Sequence, residues 1–463
     1  MDIIQNFMKI FGAAVLLPII IFIFEIILGT KPAKALRSAI YIGVGLAGLV
    51  TVLNPFFLGL MSKPITDMVV QRGIQLPYLD TGWALLAAVA YSTTIGAIII
   101  PMGIIINVIM IGIKFTDTLI LDLWNFWHWA FIGSMVYYTT GSYIYGIIAA
   151  IAIELFLLWI GDVTAPQFQK FFKLPGITIP HASAQGGIIV AIIFRWIFEK
   201  IGLTKINVNS ETIRRKFGIF GDSVVIGFFV AVLIGVIAWF PEIEQLTTWS
   251  RILALGMGTG SFIYLYPKAT TALLEGFAAL SEKVRSLLAK HGSKRKINFG
   301  MDGALCVGNP DNITVALLTM ITTVPLIFFL PGNRFLMMAD LGVTPFFLAI
   351  TAVAVFNGNI LCAYIVNVIN VAITLLFSSA MSPAFANLVT NIGTKLPDTG
   401  AAMIGADIRP LHGIFYYIGL QPVVLVASVV VILALMYARS KNPAVFWKLV
   451  GYKAESKDID TNK

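Results

Sequence analysis

Long apolar runs, separated by short polar or glycine- and proline-rich breaks, set the character of this chain. Residues 8–27, 39–60, 83–113, 143–160, 220–240 and 412–437 are predominantly apolar, and each approaches or exceeds the ~20 residues that carry a helix across a bilayer core. Further runs are equally apolar but interrupted by Gly, Pro or Asn. The alternating segments of an outer-membrane barrel are missing. The pattern predicts an all-α polytopic membrane protein.

The runs also recur. Ile10-Phe11-Gly12 opens one and Ile219-Phe220-Gly221 opens another, while Gly141 and Gly358 interrupt runs at matching places. Ala165-Pro166-Gln167-Phe168 and Ser382-Pro383-Ala384-Phe385 then close matching segments, the offset drifting from 209 to 217 residues. Two copies of one unit with loops of changed length explain this drift. Residues 1–201 form the first membrane repeat, 202–216 a hydrophilic linker, 217–438 the second repeat and 439–463 a polar tail. Within the second repeat, 273–290 has the amphipathic spacing of a helix lying in the cytoplasmic interface. Residues 64–76 suit a similar place on the outer side.

Charge placement orients the repeats. Charged residues are 12% of the chain and hydrophobic ones 58%, where a soluble domain carries about 25% charged. The net charge of +9 is concentrated between Arg195 and Lys216, between Lys283 and Lys296, and from Arg439 onward, with a smaller cluster at Lys31, Lys34 and Arg37. The positive-inside rule makes these loops cytoplasmic and accounts for the charge without a nucleic-acid partner. Helix one then enters from outside and its counterpart near Phe220 from inside, so the copies are inverted. About five crossings in each, plus one to return the tail to the cytoplasm, gives roughly eleven transmembrane helices. The N-terminal run lacks a basic n-region and reads as a retained first helix rather than a signal peptide. Trp83, Trp124, Trp127, Trp129, Trp239 and Trp249 fall near run ends, where interfacial anchors belong.

The breaks hold the chemistry. Leu174-Pro175-Gly176-Ile177-Thr178-Ile179-Pro180 and Leu396-Pro397-Asp398-Thr399-Gly400 occupy equivalent places in the halves. Irregular backbone at membrane depth survives only where protein or a wet cavity surrounds it. His181, Ser183 and Gln185 follow the first break, and Asn309, Asp311 and Asn312 surround another. His128 lies between tryptophans, and Asn357 and Asn359 flank Gly358. Such groups can hold a hydroxylated ligand, and polar residues inside membranes are costly enough to suggest function. Structural roles compete: Asp311 as an N-cap, His181 as a turn hydrogen-bonder, His128 as an interfacial residue. Asp80, Asp398 and Asp407 read equally well as loop residues in water. Cys306 and Cys362 read as buried thiols, and no metal site, cofactor motif, phosphate loop or nucleophile elbow is present in the sequence.

Phe11-Gly12, the run Ile179-Pro180-His181-Ala182-Ser183-Ala184-Gln185-Gly186-Gly187, Gly308-Asn309-Pro310-Asp311-Asn312 and Pro410-Leu411-His412-Gly413 together resemble the galactitol permease IIC component of the bacterial sugar phosphotransferase system, across nearly the whole chain. The resemblance implies a homodimer in the bacterial inner membrane, with a transport core that moves like an elevator and a C-terminal tail in the cytoplasm. It implies a galactitol-type polyol as substrate and a separate phosphorylated IIB protein, fed by IIA, as phosphoryl donor. The product would be galactitol 1-phosphate. It also implies substrate contacts at His181, Gln185 and Asp311 and, less directly, at His128; Asn309, Asn312 and Asn357 join them as candidate contacts from their own places at the breaks, with Asp311 or His181 accepting the proton of the attacking hydroxyl. An ion- or proton-coupled secondary transporter of a small polar solute is the competing reading.

Overall fold

The computed structural model describes residues 15, 18–55, 60, 63–64, 67, 76–120, 122–206, 208–209, 223–290, 295–393 and 403–453. Expectations placed on 64–76 and 202–216 fall largely outside it, as do the paired break at 396–400 and the end of the tail.

In the first half the chain runs α1 (Pro18–Ile27), α2 (Pro32–Asn54), β1 (Tyr78–Asp80), α3 (Trp83–Ser92), α4 (Thr94–Gly112), β2 (Thr118–Ile120), α5 (Leu123–Thr140), α6 (Tyr143–Phe172), β3 (Ile177–Thr178) and α7 (Ile188–Lys200). The second half runs α8 (Ser223–Ala238), α9 (Leu246–Lys290), β4 (Asn298–Gly300), α10 (Ala304–Val307), α11 (Pro310–Phe329), β5 (Phe335–Leu336), α12 (Thr344–Val355), α13 (Ile360–Asn391), β6 (Met403–Gly405) and α14 (Pro410–Gly419). The two halves follow a similar course through helices and short strands. Beyond the second half come α15 (Pro422–Lys441) and α16 (Pro443–Trp447).

Among the described residues five helices are long and apolar enough to cross a membrane singly: α4, α6, α11, α13 and α15. Others are split. The run 83–113 breaks at Thr93, whose hydroxyl caps α4 by accepting from the Gly96 N–H at 2.9 Å. Gly141 and Gly358 adopt left-handed φ of 72° and 80°, a region that glycine enters without a Cβ penalty. Ser142 and Asn359 then cap α6 and α13. Pro166 and Pro383 lie inside those two helices rather than ending them. Residues 273–290 continue α9 without a break. At about 1.5 Å per residue that helix is about 67 Å long, more than twice the ~30 Å of a bilayer core.

Strands of two or three residues were beyond an all-α reading, and they organise the centre. β1 lies between β5 and β6, and β4 lies between β2 and β3, every pair parallel. Tyr78 stands opposite Phe335 and Met403, and Phe299 opposite Leu119 and Ile177. Each sheet thus holds one strand of one half between two of the other. The pairing satisfies backbone groups that lipid could not.

The helices enclose this centre. α5 and α6 approach so closely that a Cβ on Gly146 would stand 2.6 Å from the Gly133 carbonyl oxygen, and one on Gly133 would stand 2.8 Å from the Gly146 oxygen. Gly146→Leu should therefore lower the apparent melting temperature sharply, since overpacking a well-filled core costs about 1–3 kcal/mol. Gly112→Leu, with nothing within 4 Å of the new Cβ, should leave it unchanged. Thermal unfolding of the two variants in detergent checks this.

The tail is partly built in. Arg439 is 4% exposed and bridges Asp117 at 2.6 Å and Asp162 at 3.1 Å, while Arg295 also pairs with Asp117. Trp127 and Trp129, expected as interfacial anchors, are 2% and 0% exposed and belong to the core.

Candidate functional site

The carboxyl ends of the two sheets converge, and acidic residues follow five of the six strands. Asp80 ends β1; Asp122 and Asp302 come two residues after β2 and β4; Asp407 comes two after β6 and Asp340 four after β5. Asp80, Asp122, Asp340 and Asp407 are all buried. Asp80 accepts from the Asp340 N–H at 2.7 Å and the Gly82 N–H at 2.9 Å. Asp122 accepts from the Asp302 N–H at 2.8 Å and the Trp124 N–H at 3.0 Å. A carboxylate from the first half thus grips the backbone of an aspartate of the second, once in each sheet.

Arg409, 1% exposed, joins the two sheet ends. It pairs with Asp407 at 3.0 Å, donates to Thr344 Oγ1 at 3.1 Å, and crosses to donate to Ser183 Oγ at 2.6 Å. Thr344 also donates to Asp407. The guanidinium charge acts on Asp80, Asp302, Asp340 and Asp407.

Three imidazoles lie against this centre. His128, inside α5, has its Nε2 3.1 Å from His181 Nε2 and its Nδ1 3.0 Å from His412 Nε2 in the first turn of α14. Trp127 packs against the His128 ring with centroids 3.7 Å apart. His181 Nε2 is also 3.6 Å from Asp302 Oδ2. Asp302 is the more accessible acid, its side chain 19% exposed against 1% for Asp407. Buried polar atoms around this cluster without a hydrogen-bond partner are His412 Nδ1, Arg409 Nε and Asp407 Oδ1, while Asp340 meets the backbone of Trp83 and His181 that of Trp124. Buried polar atoms are rarely left unpaired, and a site for a polar ligand is one explanation when they are.

Of the residues singled out from sequence, His128 and His181 are brought together. Gln185 is engaged nearby: its Nε2 donates to Ile179 O at 2.9 Å and Thr164 Oγ1 at 3.1 Å, which holds the loop that carries His181. Asn309 caps α11 by accepting from the Asp311 and Asn312 N–H groups. Asn312 ties α11 to the Val307 and Phe346 carbonyls, each at 3.2 Å. Asp311 lies beside the Gly358 turn, where its Oδ2 would be 2.6 Å from a Cβ on Gly358. Asn357 is in that turn, exposed, with φ of 52°. Those contacts set the four at the start of α11 and in the Gly358 turn.

Asp122, Asp302, Asp340 and Arg409 were not among the residues singled out, His412 was noted only within the Pro410–Gly413 motif, and Asp80 and Asp407 are buried rather than in water. A signal did exist. Leu79-Asp80, Leu121-Asp122, Met301-Asp302, Ala339-Asp340 and Ala406-Asp407 place an acid directly after apolar residues, each at a break in an otherwise apolar stretch. Among the described residues no group of three His, Cys, Asp or Glu side chains is arranged to hold a metal ion.

Comparison with known proteins fits a polar centre of this kind. Residues 6–401 match the family model described as the sugar-specific permease component of the phosphotransferase system (PTS). The galactitol-specific EIIC components of the PTS of Escherichia coli K12 and O157:H7 are each 30% identical over 82% of this chain and 83% of their own length. A permease IIC component of E. coli K12 is 29% identical over 87% of this chain and 90% of its own. The chain belongs to the sugar-specific permease family of the phosphotransferase system and is a multi-pass membrane protein.

Proposed function

We propose that this family member carries galactitol, or a closely related polyol, across the bacterial inner membrane and presents it to a phosphorylated IIB protein. The sugar then enters the cytoplasm as galactitol 1-phosphate. The observation that carries this reading is the set of unpartnered buried atoms gathered where the two sheets meet. A polyol offers a donor and acceptors at every carbon and can answer Arg409 Nε and Asp407 Oδ1 while presenting a hydroxyl to His181. The galactitol-specific relatives support the choice of sugar.

The charge balance supports a neutral substrate. Arg409, the cation at this centre, is already paired with Asp407 at 3.0 Å, so it offers an anionic sugar little net charge. Purified protein should bind galactitol and reject ascorbate by well over tenfold, as calorimetry can measure. Equal affinity for the two would contradict the assignment.

His181 is the proposed proton acceptor for the attacking hydroxyl, oriented by Asp302. Gln185, Asn309, Asn312 and Asp311 hold the loops and helix starts around it. Two inverted repeats are the proposed origin of the fold. Exchanging halves maps each sheet onto the other, and the sheets meet carboxyl end to carboxyl end, as a two-fold axis in the membrane plane would require. Helices α2 and α8 both pack on α9, and with exposed apolar residues such as Ile40, Phe229 and Met257 the three are the proposed dimerising scaffold past which the core slides.

Uptake into membrane vesicles tests the reading. Accumulation should require phosphoenolpyruvate and the soluble partner proteins, survive collapse of ion gradients, and yield a phosphate ester. Accumulation of free polyol, lost when the gradient is collapsed, would instead establish ion-coupled transport.

A further inference from the structure

We infer that His181, His128 and His412 form a proton relay leading from the sugar into the helix bundle, and that Arg409 sets its direction through Ser183. The inference rests on the phosphoryl-transfer reading above and adds to it the path of the proton.

The distances restrict where hydrogens can lie. A neutral imidazole has one N–H and one bare nitrogen. The links His181 Nε2···His128 Nε2 and His128 Nδ1···His412 Nε2, at 3.1 and 3.0 Å, each need one donor and one acceptor. His128 sits between them with a single hydrogen to give. Two arrangements follow: every N–H points toward His181, or every N–H points toward His412. Passing from one to the other moves one proton in at one end and out at the other. The ends are His181 Nδ1 and His412 Nδ1, both buried.

Ser183 chooses between the arrangements. Its oxygen accepts from Arg409 at 2.6 Å, which leaves its hydroxyl hydrogen free to donate to His128 Nε2 at 3.3 Å. His128 Nε2 is then an acceptor, and the His128 hydrogen sits on Nδ1, facing His412. His181 must carry its own hydrogen on Nε2, pointing to His128 and Asp302. This leaves His181 Nδ1 bare, a base waiting for the sugar hydroxyl. The Trp124 backbone favours the protonated ring and is the group that can accept the hydrogen His181 gains.

The step balances. The sugar oxygen forms a bond to phosphorus, and the bond from phosphorus to the donor group on the partner protein breaks, its electron pair staying with the donor. The hydroxyl proton goes to His181 Nδ1. The His181 Nε2 proton passes to His128 Nε2, and the His128 Nδ1 proton passes to His412 Nε2, which leaves His412 as the imidazolium. His128, His412, Ser183 and Arg409 are positioning residues in this scheme, with His181 alone touching the reacting hydroxyl.

The test separates binding from transfer. His412→Gln keeps a hydrogen-bonding group at the end of the chain but cannot take a second proton. It should bind galactitol within about threefold of wild type and transfer phosphoryl groups at least about ten times more slowly, since a positioned acid–base group contributes about 10²–10⁴-fold. The solvent deuterium isotope effect on single-turnover transfer should change with it. Wild-type transfer with an unchanged isotope effect would overturn the relay. Loss of binding in step with transfer would overturn it as well, by making His412 part of the binding structure. Failure of the wild-type protein to accept a phosphoryl group onto bound sugar would instead reject the underlying reading. Nitrogen-15 NMR of histidine-labelled protein gives a check independent of variant folding: the His128 hydrogen should be on Nδ1 in wild type. Finding it on Nε2 would overturn the assigned direction. In an Asp302→Asn background, which removes the other bias toward a hydrogen on His181 Nε2, adding Ser183→Ala should move the His128 hydrogen to Nε2, and a spectrum unchanged by that addition would remove Arg409 and Ser183 from the scheme.

Discussion

Asp302→Asn will bind galactitol and fail to phosphorylate it, whereas Asp311→Asn will do both. Both acids stand beside a helix start in the second half, and sequence alone favoured Asp311. The structure puts Asp302 Oδ2 3.6 Å from His181 Nε2 and leaves Asp311 beside the Gly358 turn. A carboxylate that accepts from one imidazole nitrogen holds the other nitrogen bare, the arrangement a general base requires. An asparagine there offers an N–H toward Nε2 and favours the opposite tautomer, with the hydrogen on Nδ1 where the sugar hydroxyl must be met. In a Ser–His–Asp site this exchange lowers turnover by about 10⁴. A partly exposed carboxylate at 3.6 Å should matter somewhat less, and we expect a loss on the order of 10²–10³ in single-turnover transfer, within the usual range for acid–base groups. Asp302 also accepts from the Ala304 N–H at 2.8 Å, which asparagine can preserve through its oxygen, so the loop should hold. Rapid-quench phosphoryl transfer and calorimetric binding on the two variants decide the matter. Full transfer by Asp302→Asn, or its loss in Asp311→Asn alone, would return the role to Asp311.

How far the sequence led is clear from particular residues. Apolar runs and their glycine breaks are written in composition, so Gly141 and Gly358 could be found as helix interruptions without coordinates. His181 could be found because a histidine between Pro180 and Ser183 at a break has few bland explanations. The strands could not be found. Ile177–Thr178 and Phe335–Leu336 are two residues long and buried along their whole length, so no period distinguishes them from helix. Without them nothing brings Asp122 to Asp302 or Arg409 to Ser183, 226 residues apart in sequence. His412 sits in a run that looks like a plain membrane helix, and only the packing of α14 on α5 shows it within hydrogen-bonding distance of His128. Long-range partners of this kind are fixed by pairing between the halves, which leaves no local mark.

Arg409→Met should yield little or no folded protein, and adding Asp407→Asn should recover the fold but not transport. Among the described residues Arg409 is the cation that acts on Asp80, Asp302, Asp340 and Asp407, and it is 1% exposed. Removing one partner of a buried pair costs about 3–5 kcal/mol, because the other charge stays buried without compensation. The loss here extends further, since the same guanidinium carries the 2.6 Å bond to Ser183 that connects the ends of the two sheets. Neutralising Asp407 removes the stranded charge, while the amide oxygen introduced at that position can still accept from Thr344. Stability should therefore return in large part. The link to Ser183 does not return, nor does the positive charge among the remaining acids, so vesicle uptake should stay at background. Arg409→Lys keeps the charge but gives a point donor in place of a planar fork that reaches Asp407, Thr344 and Ser183 together. It should fold and transport slowly. Detergent-solubilised yield and apparent melting temperature report the first effect, and phosphoenolpyruvate-dependent uptake reports the second. Normal folding and uptake by Arg409→Met alone would show that the two sheet ends are held together by something other than this residue.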